Sequence, residues 1–249
     1  VIDVLAPLLG SPADALRVAI LHEDGPYGQS VAAAQDARLR ERGLPPVGKL
    51  AYASRTAELA PSTQRLRGVG AEVVLHSGYN ADVLLFFRTL REAGWRPRMV
   101  VGAGGGYGLV DTARSLGSEI EGLMSVDFPP LDVSEAAAPG VGAFRENYKR
   151  RYGAEPRSGH GLASYFGANV CLDAMAAAGG ADKDRLRAAM LAVDMAENAS
   201  SNGWGARFDE RGQNLRARPV LAQWQAGRHV AVFPPRFAVA EPRGRFGPP

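Results

Sequence analysis

Cysteine, lysine and long apolar runs are what this chain of 249 residues has least of. A single cysteine, Cys171, excludes an intramolecular disulfide and any metal cluster built on thiolates. In its helical setting it reads as a small buried hydrophobe. Lysine occurs only at Lys49, Lys149 and Lys183, so the 29 basic residues are nearly all arginine; against 26 acidic ones they leave a net charge of +3. That surplus is small, and no stretch interleaves arginine with aromatics, which argues against nucleic acid as a partner. No apolar run reaches the length needed to span a bilayer. No secretory signal is visible, but the chain starts at Val1 without an initiator Met, so this says little about compartment. His22, His76, His160 and His229 are scattered without a short paired spacing, and neither a metal site nor a cofactor is expected.

What is present is 46% hydrophobic and 22% charged, ordinary for a globular chain of this length. The most informative stretch runs from Ala71 to Gly108. Val73, Val74 and Leu75 form a short β-branched run of the kind buried on both faces of a parallel sheet. A helix after Asn80 carries Val83, Leu84, Phe87 and Leu90 on one stripe. Gly94 and Pro97 close it, and Met99 to Val101 give the next strand. A βαβ unit of this kind brings its two post-strand loops, Ser77-Gly78-Tyr79-Asn80 and Gly102 to Gly108, to one carboxyl edge of the sheet. Open α/β sheets bind ligands at that edge. Neither loop carries an obvious catalytic group, so the pattern points to binding.

The same rhythm fills the first half. Val1 to Leu9 has helical spacing; Arg17 to His22, Val47 to Ala53 and Gly122 to Phe128 read as strands. Gln29 to Arg42, Glu58 to Val69 and Tyr107 to Leu116 read as helices. Strand and helix alternate five times, which predicts an α/β fold with a doubly wound parallel sheet. At Pro129-Pro130 the rhythm changes to consecutive helices, Val141 to Tyr152, Gly161 to Ala178 and Lys183 to Val193. Strands return at Ala206 to Phe208, Pro219 to Trp224 and His229 to Phe233, the last two joined by a hairpin turn at Ala226-Gly227. From Pro234 on, the richness in Pro, Gly and Arg reads as a loosely held tail.

RVAILHEDGPYGQS, AEVVLHSGYNADVLLFFRTLREAGW, MVVGAGGGYG, FRENYKRRYGAEP with the following SGHGLASYFGANVCLDAMAAAG helix, and GWGARFDERGQN occur in this order. In that ordered series the chain resembles the type I periplasmic binding proteins, and more narrowly the substrate-binding proteins of branched-chain amino-acid ABC transporters. The likeness runs from about Val1 to Phe233. It implies two α/β lobes closing by a hinge on a small molecule, with no catalysis, an ABC permease as partner, and a periplasmic or extracellular location, lipid-anchored or soluble. Residues 1–128 would be the carboxyl-terminal lobe, 129–200 the crossover and helices of the other lobe, and 201–249 the returning hinge strands and tail. On this resemblance the family's amino-terminal lobe is expected to be absent from this chain, as in a fragment or a chain whose other half is supplied separately, and the helices of the second lobe would lack the sheet they normally cover. A bare apolar helical face is an expected surface for self-association.

The resemblance also implies a site. Tyr27, after the first strand, and Tyr79, after the third, stand where family members place aromatics against the ligand; Ser77 and Asn80 flank Tyr79. Gly104, Gly105 and Tyr107 belong to the third loop, where glycine lets backbone approach a ligand closely. Many amino-acid-binding relatives carry an acid at the place that Gly104 fills here. Without it a neutral or acidic ligand fits better, unless Asp127, at the end of the fifth strand, supplies the carboxylate for an ammonium group. Both ligand classes, hydrophobic amino acids and aromatic or aliphatic organic acids, stay open.

Other readings are weaker. A dinucleotide fingerprint needs glycine at its first, third and sixth places after the first strand; here Gly102, Gly104 and Tyr107 fill them after the fourth. A nucleotide-using enzyme is thus remote, and a ligand-sensing domain of a receptor or regulator is the nearer alternative. Ser77 sits in His76-Ser77-Gly78, which does not fit a nucleophile elbow. Asn198-Ala199-Ser200 matches a glycosylation triplet, a pattern common by chance.

Overall fold

A computed structural model describes residues 1–247. Eight helices and seven strands lie among them: α1 (Ile2–Leu8), β1 (Val18–Glu23), α2 (Pro26–Glu41), β2 (Gly48–Tyr52), α3 (Ala60–Gly68), β3 (Val73–Ser77), α4 (Asn80–Glu92), β4 (Met99–Ala103), α5 (Val110–Leu116), β5 (Met124–Asp127), α6 (Val141–Tyr152), α7 (Gly159–Ala178), α8 (Lys183–Leu191), β6 (Val220–Gln225) and β7 (Arg228–Phe233). The strands form one sheet in the order β2-β1-β3-β4-β5-β6-β7. β1 pairs in parallel with β2 and β3, β3 with β4, and β4 with β5. The order 2-1-3-4-5 is that of a doubly wound sheet, in which the chain reverses direction between β1 and β3.

Burial explains why these runs are strands. Every residue of β1, β3 and β4 is buried, as expected of parallel strands covered on both faces. Only β2, at the edge, alternates exposed and half-buried positions before Tyr52. Ala226 and Gly227 both take positive φ, 52° and 74°, the geometry of the tight turn that joins β6 to β7. The buried stripe of α4 is Val83, Phe86, Phe87 and Leu90. Phe86 therefore replaces Leu84 in the stripe read from sequence, because positions three and four residues apart share a helix face and Leu84 lies at the stripe's margin.

The chain divides into two compact units. The first comprises Val1–Asp127 and Leu221–His229 together with the stretch from Glu241. The second comprises Phe128–Val220 and Val230–Ala240. In the second unit, Leu162 of α7 packs with Val141, Val220, Ala231 and Phe237 in one apolar cluster, and Phe166 and Val170 pack with Ala206 in another. Arg145 of α6 bridges Asp132 and Glu155, both at 2.9 Å.

Three expectations need correction. The stretch after Pro234 is packed: Phe237 and Phe246 are buried, because two aromatic rings in it outweigh its Pro, Gly and Arg content. Cys171 is exposed, on a face of α7 that also leaves Tyr165 and Leu172 uncovered. Ala206 to Phe208 forms no strand, only isolated bridges of Ala206 to Met195 and Phe208 to Asn214.

Candidate functional site

The loops after β1 and β3 flank the point where the strand order reverses, and the first unit holds all the residues of the candidate site. Glu23 ends β1 and is almost fully buried; its two carboxylate oxygens accept from the amides of Gly25 and Gly28, each at 2.5 Å. A carboxylate on the first turn of α2 suits the positive end of the helix dipole. A β-carbon at Gly28 would collide with the Glu23 carbonyl oxygen, so that position requires glycine, and one at Gly25 would lie 2.6 Å from the carboxylate and displace it. Between them Pro26 starts α2 and Tyr27 is carried toward β4, where its hydroxyl donates to the Ala103 carbonyl at 2.8 Å. Burial, and then the charge of Asp127, push the Tyr27 phenol up to about 12, so it stays a neutral donor.

Tyr79 caps α4, and its amide donates to Asp82 at 2.9 Å. Its ring is 52% exposed and stands 6.1 Å from the Tyr27 ring, tilted by 42°. The structure thus brings the two tyrosines together, one anchored and one open to solvent. Asn80 faces the other way: its side-chain amide donates to Thr112 at 2.6 Å. Ser77 is fully buried, and its hydroxyl has no hydrogen-bond partner among the described residues.

The glycine loop presses directly on the loop after β3. A β-carbon at Gly106 would lie 2.7 Å from the Asn80 Cα, and one at Gly105 would collide with the Gly78 carbonyl. Gly104 and Gly105 take φ of 51° and 56°. The amides of Gly104, Gly106 and Tyr107 are spent on the carbonyls of Val126, Gly78 and Gly104. A phosphate cradle needs such amides aimed outward, and these are already used.

Tyr107 corrects the sequence reading on two counts. Its ring is fully enclosed below Gly102 and so offers a ligand no surface, and α5 starts only at Val110, after this turn. The Tyr107 hydroxyl bonds the Nδ1 of His76, whose Nε2 meets the Tyr52 hydroxyl at 2.9 Å. Burial lowers the His76 pKa to about 3, so the imidazole is neutral. This pillar of Tyr52, His76 and Tyr107 supports the two loops from inside. Nothing in the sequence marked it, since a lone histidine in an apolar run carries no spacing signal.

Asp127 is buried at the end of β5, beside the glycine loop: a β-carbon at Gly104 would lie 3.7 Å from its Oδ1, and one at Gly108 2.9 Å from its Oδ2. Trp224 and His229, from β6 and β7, complete this flank and were not singled out from sequence. The Trp224 indole donates to the Tyr107 carbonyl at 2.8 Å and stacks on the His229 ring at 5.0 Å. His229 Nε2 pairs with the Ser125 hydroxyl at 2.9 Å. Among the described residues no cluster of three His, Cys, Asp or Glu side chains could hold a metal ion. The arrangement offers an aromatic pair, a buried carboxylate and close backbone, which suits holding a small molecule.

Known proteins resemble this chain in sequence and in fold. The chain is 39% identical over 240 residues to Leu/Ile/Val-binding protein homolog 7 of Brucella suis biovar 1, covering 96% of this chain and 60% of that protein. Homolog 8 of Brucella abortus is 37% identical over the same shares. The chain therefore spans about 60% of the length of these relatives. The leucine-binding protein LivK of Thermotoga maritima has a similar fold, with a TM-score of 0.73 at 18% identity over 86% of this chain and 59% of that one. LivJ of Streptococcus pneumoniae, solved in complex with isoleucine, gives a TM-score of 0.66 at 15% identity over 86% and 58%. A family model described as periplasmic binding protein matches residues 3–228, and the chain belongs to that family.

Proposed function

We infer that this chain is part of a non-enzymatic substrate-binding protein that captures a small organic solute for an ABC permease, in the periplasm or outside the cell, lipid-anchored or soluble. The observation that carries this reading is the Tyr27–Tyr79 pair at the reversal point of the sheet, with the Asp127 carboxylate beside the adjoining glycine loop. Two aromatic rings supply apolar area at little entropic cost, and each adds one hydroxyl. The ligand is a hydrophobic amino acid or an aromatic or aliphatic organic acid. Asp127 favours the amino acid, because a carboxylate accepts a charge-assisted hydrogen bond from an ammonium group. The names of the Brucella relatives, Leu/Ile/Val-binding, agree with that choice. Gly104 and Gly105 shape the walls, while Ser77, Asn80 and Tyr107 support the loops from inside.

A thermal-shift panel of amino acids, aromatic acids, aliphatic acids and nucleotides tests the reading. A ligand held at a hundredfold excess over its Kd stabilises the native state by about 2.7 kcal/mol, a rise of several degrees. The expected hits are leucine, isoleucine or valine; a response to nucleotides alone overturns the proposal. The uncovered faces of α6 and α7, with Tyr152, Tyr165 and Leu172 exposed, form a surface for self-association. Size exclusion of this chain should show concentration-dependent oligomers, and a monodisperse monomer at all concentrations contradicts that part.

A further inference from the structure

The first unit has a concavity at the edge of its sheet opposite the candidate site, the amino edge, where β4 begins. Phe87 and Leu90 of α4, Trp95 and Arg96 of the following turn, and Phe246 line a slot of about 260 Å³. An adjoining basin of about 390 Å³ shares Arg96 and Phe246 and adds Arg98 and Arg245. Along α4, the slot residues Phe87 and Leu90 lie about 12 and 16 Å from Tyr79.

We propose that this slot binds a flat organic anion of the arylcarboxylate type, its ring among Phe87, Trp95 and Phe246 and its carboxylate on Arg96. The floor is rigid: Phe246 is buried, meets Phe87 edge-to-face at 6.2 Å, and is followed by a Gly247 amide that donates to the Glu121 carbonyl at 2.6 Å. Arg96 lies over the Phe246 ring at 5.5 Å and has no ion-pair partner among the described residues. Its neighbours are already neutralised, Arg91 by Glu119 at 3.2 Å and Arg98 by Glu72 at 3.0 Å. The carboxylate lining the slot, Glu119, is therefore engaged, and Arg96 keeps its donor fork for a ligand. The carbonyl end of α4 would repel an anion, but the amides of Ala93, Gly94 and Trp95 take up its carbonyls at Thr89, Arg91 and Leu90. A planar apolar body laid against Trp95 and over the floor of Phe87 and Phe246, with one charged group at the rim, matches this lining.

The test uses 2-naphthoate, titrated into the protein by calorimetry, with hydrogen exchange to locate it. The expected result is saturable binding that protects residues 87–96 and leaves 25–28 and 77–80 unchanged. Arg96→Gln should weaken it about tenfold or more. The neutral 2-naphthamide should bind the unaltered protein about as weakly as naphthoate binds Arg96→Gln, a comparison that needs no variant to fold. No saturable binding at millimolar naphthoate, equal affinity for naphthoate and naphthamide, or protection confined to 25–28 and 77–80 overturns the proposal.

Discussion

Acidification from pH 7 to 4.5 is expected to remove roughly 2–3 kcal/mol of stability through His76 alone. The folded protein holds this imidazole fully buried, with its pKa lowered from 6.5 to about 3. The unfolded chain takes up a proton there near 6.5 and the folded one does not until about 3. The stabilisation is therefore complete above pH 6.5 and is lost as the pH falls toward 3, at about 1.4 kcal/mol per unit. Urea midpoints measured from pH 7 to 4.5 on the unaltered protein and on His76→Gln check it. The variant starts lower, because Tyr52 and Tyr107 lose their shared partner, but its acid limb should be flatter. Parallel limbs contradict the assignment. Because the same pillar supports the loop that carries Tyr79 and the glycine loop beside it, ligand affinity should fall over the same range.

Trp224→Ala is expected to cost about 3–5 kcal/mol, the usual range for emptying a fully buried aromatic site. Trp224 is 2% exposed, and its indole holds the Tyr107 carbonyl while its face supports His229. Removing it leaves a cavity and an unpaired buried carbonyl at the base of the glycine loop. The denaturation midpoint should drop accordingly. Trp224→Phe, which fills most of the volume and lacks only the donor, should recover more than half of the loss. A cost below about 1 kcal/mol for the alanine variant would mean that the hairpin of β6 and β7 does not support the loop.

The sequence was most legible where one physical signal dominated. Continuous apolar runs such as Val73 to Leu75 declared strands buried on both faces, and the residues between Ala71 and Gly108 set out the βαβ unit whose loops form the edge. Ala226-Gly227 declared its hairpin. Legibility failed where tertiary packing overrode composition. Phe237 and Phe246 pin a stretch whose Pro, Gly and Arg content suggested looseness. Cys171 is exposed because the character of a helix face depends on what covers it, which spacing within the helix does not report. At the site, Tyr27 and Tyr79 were readable as loop aromatics after strands. Tyr107 looked equivalent, yet one turn of backbone sends its ring inward to His76. Glu23 has no spacing signal in the sequence; its bond to the first turn of α2 depends on the close approach of positions 25 and 28, both glycine. The partnership of Trp224 with Tyr107 joins residues 117 positions apart, beyond any local pattern.

The most direct test of the central claim is calorimetric titration of leucine into the unaltered protein and into Tyr79→Ala. Tyr79 is the open member of the aromatic pair and is more than half exposed, so the variant should keep its melting temperature within a few degrees. Truncating an aromatic that covers a ligand costs about 1–2 kcal/mol or more, so the account predicts affinity weakened by roughly tenfold or more. Equal affinity in the two proteins, with leucine bound in both, would contradict a site built on the loops after β1 and β3.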